Sequence, residues 1–260
     1  MQNTDFLLNK LKEVPSIFGI ESVASWLQNI ENINQFKIIE SLFDKNLSIN
    51  QWRGLITLLN QKYANYIEPS YDFGDSFEKC LAPNSNNHKN IYLLDDKSKI
   101  IDFSKLLNLS KLKVNMAHRC EELSFFNPQL EMLNIGFLPK LTTIKSIESA
   151  VNLKYLTLTK CNKLNDFAFI RNLKKLIYLD LSDNKLIKQI DFISDDSEVR
   201  VLYLLFSRNI IKNEETFSRL SAMKHLKYLY ITANKAEQRE LRNWLPNCFI
   251  NGELPLANQK

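Results

Sequence analysis

Apolar residues recur along the second half of the chain with a spacing that neither a lone helix nor a lone strand explains. In Leu153-Lys154-Tyr155-Leu156-Thr157-Leu158-Thr159-Lys160-Cys161-Asn162-Lys163-Leu164 they fall at the first, fourth, sixth, ninth and twelfth places. Residues 176–186 repeat the pattern with Asn184 in the cysteine place. The same frame begins at Leu130, Val199 and Leu226, so successive starts lie 23, 23, 23 and 27 residues apart. A self-similar period of this length marks stacked units: no single unit can bury its apolar row, and its neighbours complete the core. Within each unit the alternating pair, such as Leu156 and Leu158, predicts a short strand whose intervening side chains face the other way.

An earlier copy begins at Leu112 and aligns Cys120 with Cys161, at the expense of Asn115 and Ala117 in two core places. A rival frame over Leu109, Leu112 and Val114 has better strand residues but loses the cysteine match. The first is preferred here. The L-x-x-L-x-L-x-x-(N/C)-x-x-L pattern over residues 100–250 resembles the leucine-rich repeat family. The resemblance implies an α/β solenoid of about six repeats with a parallel sheet on the concave side. It also implies that Cys120, Cys161, Asn184 and Asn234 turn inward to serve the backbone of neighbouring turns.

The ends differ from the repeats. Residues 236–245 predict a helix with Leu241, Trp244 and Leu245 on its inner side, stopped by Pro246. Residues 247–250 follow as a final strand. A helix and Leu245-Pro246-Asn247-Cys248 resemble the closing unit of many leucine-rich repeat proteins, which places Trp244 and Cys248 in a cap core. At the other end residues 4–13, 20–31 and 34–45 predict helices, and Ser48 or Asn50 opens a longer one to about residue 67. Residues 68–90, with Pro69, Pro83 and an Asn-Ser-Asn-Asn run, predict a linker, and residues 91–94 a first cryptic strand. The expected organisation is an all-helical N-terminal region with linker over 1–90 and a repeat domain with its helix-strand cap over 91–260.

Composition changes the picture little. Residues 1–96 carry eight Lys/Arg against twelve Asp/Glu, and residues 97–260 carry 26 against 17. The basic excess is read as a solvated lysine surface rather than a nucleic-acid site. No apolar run is long enough to span a bilayer. The first residues show no basic and apolar leader, and the four cysteines form no C-x-x-C pair. Both point to reduced thiols in a cytoplasmic protein.

Candidate chemistry is sparse. The chain has no phosphate-cradling glycine loop, zinc-binding helix motif or nucleophile elbow. His88, His118 and His225 lie far apart. Asp195-Asp196 and Glu214-Glu215 are solvated turn acids on this reading, and no metal or cofactor is implied. The residues flanking the core leucines are more informative. They stack in three columns: Val114, Met132, Tyr155, Tyr178, Val201, Tyr228; Met116, Asn134, Thr157, Asp180, Tyr203, Tyr230; and His118, Gly136, Thr159, Ser182, Leu205, Thr232. Five of the nine tyrosines fall in the first two, and Phe206 follows Leu205. Tyrosine combines contact area with a polar tip and is enriched at binding hot spots.

The expectation is therefore a non-enzymatic protein that recognises another protein through Tyr155, Tyr178, Asp180, Tyr203, Leu205, Phe206, Tyr228 and Tyr230. Its size and closing unit resemble leucine-rich repeat immunity proteins, which implies a toxin as partner. A scaffold or secreted effector, and an enzyme with its site in residues 1–95, are the alternatives.

Overall fold

The computed structural model describes residues 89–207, 210–212, 214–253 and 255–256, the strand at 72–74, and positions 9, 47, 48 and 51. The chain divides into two units, Met1–Ser70 and Tyr71–Lys260. In the first unit Asn9 and Gln51 are helical, and the Ser48 and Gln51 side chains each accept from the other's backbone N–H, at 3.4 and 2.9 Å. That reciprocal pair is a capping box, so Ser48 rather than Asn50 opens the helix. The remaining predicted helical residues, with Cys80 and His88, lie outside the described residues.

The second unit is built on two parallel sheets. The long one runs in the order β1 (Asp72–Gly74), β2 (Asn90–Leu94), β4 (Lys111–Asn115), β6 (Met132–Gly136), β8 (Tyr155–Thr159), β9 (Tyr178–Asp180), β10 (Val201–Leu204), β11 (Tyr228–Ile231) and β12 (Phe249–Ile250). A short sheet of β3 (Ile100–Asp102), β5 (Glu122–Ser124) and β7 (Thr143–Lys145) lies in the connections. Later connections use 3-10 turns at Ile147–Ser149, Ala168–Asn172 and Ile210–Lys212. The 27-residue repeat has room for a helix, α1 (Glu214–Ala222), and the cap supplies α2 (Lys235–Trp244). Strand β1 lies inside the stretch expected to be linker and pairs with β2 from Asp72↔Ile91 to Gly74↔Leu93.

One register runs through the long sheet: Ile91, Leu112, Leu133, Leu156, Leu179, Leu202, Leu229 and Ile250 are successive partners, and all are buried. Leu112 pairs with Leu133, so the rival frame is the correct one and the preferred frame was three residues out of step. The turn closing each strand confirms it. The amide of Cys120 donates to Ala117, as Leu141 donates to Leu138 and Leu164 to Cys161, at 3.0–3.1 Å. Ala117, not Cys120, therefore matches Cys161, and Cys120 fills the place of Leu141 and Leu164. Both residues are still buried, because a small thiol suits either apolar place.

The inward asparagine behaves as the repeat implies in one place and not in another. Asn184 is fully buried; its Nδ2 donates to the Leu158 and Leu181 carbonyls, and its Oδ1 accepts from Cys161 N–H at 2.9 Å. Asn234 is exposed instead. It caps α2, accepting from Ala236 and Glu237 at 2.8 and 3.0 Å while Glu237 reaches back to its amide. A helix start at this point claims the side chain that an irregular connection would have turned inward. Asn127 does a matching job on the connection side, donating to the Phe103 and Leu106 carbonyls.

In the cap, Leu241, Leu245 and Cys248 are buried, but Trp244 is 48% exposed and meets Phe217 along one face, ring centroids 6.4 Å apart. It stands on the flank of α2, so its expected core role is corrected.

Candidate functional site: the concave sheet face

With the register set, the outward side chains of the long sheet can be placed. In the first column Lys111 replaces Val114 beside Met132; in the second Lys113 replaces Met116 beside Asn134; in the third Asn115 replaces His118 beside Gly136. Val114 points into the core, and His118 lies in the following turn. Tyr92 joins the second column through its pairing with Lys113. The better strand residues of the rival frame were the signal for all three. Gly136 lies in close quarters: a Cβ would meet Asn115 Oδ1 and Thr159 Oγ1 at 3.3 Å, so either side chain would have to give by a few tenths of an ångström.

The tyrosines form one continuous stack. Ring centroids are 6.4 Å apart for Tyr155–Tyr178 and 5.6 Å for Tyr178–Tyr203, Tyr203–Tyr228 and Tyr203–Tyr230. Strands about 4.8 Å apart bring residues in one column into ring contact. The stack hides much of itself. Tyr228 is 1% exposed, and Tyr155 and Tyr203 are buried too, while Tyr178 and Tyr230 are half-buried. The expectation that all five present themselves to solvent is corrected for the first three. Burial pushes the Tyr203 hydroxyl well above its ordinary range.

Asp180 lies opposite Tyr203 on one side and Thr157 on the other, two residues beyond Tyr178 on its own strand. Its Oδ1 accepts from the Ser182 amide at 2.9 Å. Burial nevertheless outweighs the Ser182 bonds and raises the carboxyl above its ordinary value. Asp183 also lies nearby, and its Oδ2 meets Lys160 Nζ at 3.7 Å.

Just past the third column, every repeat from β2 to β10 places a non-glycine residue in the left-handed region: Asp95, Met116, Phe137, Lys160, Asp183 and Phe206, with φ between 56° and 64°. The bend carries amides toward the next repeat. Asp95 donates to the Asn115 carbonyl, Met116 to Gly136, Phe137 to Thr159 and Asp183 to Leu205, at 2.8–3.1 Å, and Phe206 donates to Thr232 Oγ1 at 2.7 Å. Met116, Phe137 and Phe206 are exposed, Phe206 to 61%. Left-handed backbone favours glycine or asparagine, so bulky apolar residues there stand out.

The remaining candidates do not assemble into chemistry. Cys120 Sγ donates to the Glu122 carbonyl at 3.4 Å, and burial pushes its thiol up to about 12. His118 is exposed. Asp195 faces Arg219 at 3.9 Å, Asp196 meets Lys174 at 3.1 Å, and Glu215 meets Arg219 at 3.1 Å. His225 Nε2 lies 3.9 Å from Glu198. A groove of about 560 Å³ on the connection side, between residues 165–171 and 186–192, gathers none of the residues singled out by sequence. Among the described residues, no helix is long and apolar enough to cross a membrane.

A 23-residue period, leucines in register across one parallel sheet and an inward asparagine are the features of a leucine-rich repeat solenoid. The repeats resemble leucine-rich repeats. No family profile matches the chain. It is 30% identical over 122 residues to receptor like protein 22 of Arabidopsis thaliana, covering 45% of this chain and 15% of that protein. It is 32% identical over 130 residues to lumican of Bos taurus, covering 48% of this chain and 36% of that protein. The chain thus spans well under two thirds of either curated relative. Among solved structures, an internalin of Listeria monocytogenes aligns over 89% of this chain and 94% of its own at 13% identity, with a TM-score of 0.32. The likeness to leucine-rich repeats lies in this chain's own register and burial.

Proposed function

We propose that this leucine-rich repeat protein recognises another protein, without catalysis, through the concave sheet face at β9 to β11. Register brings Tyr178, Asp180, Leu205 and Tyr230 together there, and Phe206 borders them. The observation that carries this is Phe206. A phenylalanine that is 61% exposed and held at φ 62° is unfavourable twice over, and neither packing nor the turn requires it. Met116 and Phe137 repeat that choice along the same edge. Such side chains are suited to contact with a partner.

The finer proposal is a cytoplasmic immunity protein whose partner is a toxin. Support for it comes from the closing unit, α2 followed by β12. A scaffold or effector would use the same face. The test immobilises the full chain and its Phe206→Ala and Tyr230→Ala variants against lysate of the source cells. A protein captured by the parent and lost from both equally folded variants supports recognition at this face; equal capture by all three refutes it. Co-expression with the product of a neighbouring gene, toxic alone and harmless with the parent chain, would single out the immunity role; unrelieved toxicity would remove it.

A further inference from the structure

The last strand of the long sheet ends in a latch made by one side chain. β12 pairs with β11 at Tyr228↔Phe249 and Leu229↔Ile250, and the Asn251 amide adds a bond to the Leu229 carbonyl at 3.0 Å. Beyond that point the carboxamide of Asn251 takes over from the main chain. Its Oδ1 accepts from Ile231 N–H at 2.8 Å, and its Nδ2 donates to the Ile231 carbonyl at 2.9 Å. The chain then doubles back, so that Ile250 and Glu253 form an antiparallel bridge, and Glu253 also meets Arg242 of α2. The turn closes the end of a sheet whose last strand would otherwise offer open main-chain groups. It is built on Asn251 at φ 52° and Gly252 at φ 83°, both in the left-handed region.

Asn251 and Gly252 also form the one Asn-Gly step in the sequence. Asparagine is a thermolabile residue, and most so before glycine, where no Cβ hinders attack by the next amide nitrogen on the side-chain carbonyl carbon. We propose that Asn251–Gly252 is a modification site, at which spontaneous deamidation, gated by release of the carboxamide from Ile231, unlatches the end of the sheet. The Gly252 nitrogen bonds to Asn251 Cγ and gives up its proton, the Cγ–Nδ2 bond breaks, and ammonia leaves with that proton, forming a succinimide ring. Water then opens either carbonyl of the ring to give aspartate or isoaspartate. Nothing is oxidised or reduced, and water is the co-reactant. Ring closure needs Cγ within about 3–3.5 Å of the attacking nitrogen and aligned with it. The two bonds to β11 hold the carboxamide on the neighbouring strand, so closure waits on local opening of the turn.

The product does not restore the latch. A carboxylate only accepts, so the oxygen that replaces Nδ2 faces the Ile231 carbonyl with no proton between them, and the new charge stands close in sequence to Glu253. Isoaspartate also lengthens the main chain by a methylene, which takes the Ile250–Glu253 bridge out of register.

The test incubates the full chain at pH 8, folded and in urea, and follows the tryptic peptide 243–260 by mass spectrometry with fragmentation that separates isoaspartate from aspartate. In urea both products should accumulate at Asn251 ahead of Asn243, Asn247 and Asn258. In the folded chain the rate at Asn251 should fall by about tenfold or more, equal to about 1.4 kcal/mol of local opening. Asn251→Asp, the product made directly, should melt about 2–4 °C below the parent at pH 7. Preference in urea for another asparagine, equal rates at Asn251 folded and unfolded, aspartate without isoaspartate, or an Asn251→Asp chain that melts with the parent would each overturn the proposal. Should that variant fail to fold, the rate comparison, made on the parent alone, decides.

Discussion

Burial changes what individual side chains can do. The thiols show it most simply. Cys120 and Cys161 sit in apolar places and are pushed up to about 12, and burial moves Cys248 up as well. The thiolate is the reactive form, so these three sites in a Cys80→Ser background should be inert to an aromatic disulfide reagent at pH 8. All three should become titratable only in denaturant; fast stoichiometric reaction of the native protein would contradict the assignment. Asp180 carries the same effect with the opposite consequence for stability. An acid raised above its ordinary value holds its proton more tightly folded than unfolded. At pH below the ordinary carboxylate range both states are protonated and no penalty arises. As pH climbs through the raised value, stability is lost, and above it the loss is complete. Asp180→Asn should therefore be more stable than the parent at pH 7, with the gap closing toward pH 4. Urea midpoints at the two pH values measure this, and a gap that widens on acidification would refute it.

At the scale of the element, the leucine rows were legible because their period is set by stacking and by little else. Leu156, Leu158, Leu179 and Leu181 are all fully buried. Leu→Ala at any of them is expected to cost about 2–5 kcal/mol, whereas exposed Lys174→Ala should change stability by less than about 0.5 kcal/mol; comparable losses in chemical denaturation would sink the frame. The copy at β4 was harder to read, since one three-residue step exchanges a cysteine match for strand-forming residues. The short sheet of β3, β5 and β7 left no signal, because three-residue strands are shorter than any alternation that could announce them. Nor did the leucine pattern show which inward place would be taken by a helix cap. Asn234 does that work for α2, so Asn234→Ala should remove about 1 kcal/mol and Asn184→Ala should do more damage, leaving the Leu158 and Leu181 carbonyls and the Cys161 amide buried without partners. Melting of the two variants side by side decides the order; the reverse order would mean that Asn184 is not the structural asparagine.

Across the whole molecule, a sheet lined by tyrosines has two roles to divide among them, and the stack divides them by depth. The sequence placed the five aromatics on the outward side correctly but could not show that neighbours 5.6 Å away would cover one another. Tyr155, Tyr203 and Tyr228, buried within the face, should behave as core when truncated to alanine, with losses of about 3–5 kcal/mol by analogy with other large buried aromatics. Tyr178, Leu205 and Tyr230 are half-buried and Phe206 is exposed, so their truncation should spare the fold and fall on binding. A central aromatic hot spot is worth about 2 kcal/mol or more, roughly a thirtyfold weakening. Phe206 adds a further discrimination. Phe206→Gly relieves the left-handed backbone and removes the ring together, so it should melt no lower than the parent and still bind far more weakly. Calorimetry with the captured partner, run beside circular dichroism and melting, separates the two groups. If Phe206→Gly and Tyr230→Ala bind as the parent does, the concave face at β9 to β11 is not the contact. If instead every variant loses binding in proportion to lost stability, the aromatic stack serves the solenoid alone, and an exposed phenylalanine in a strained turn would have no role in recognition.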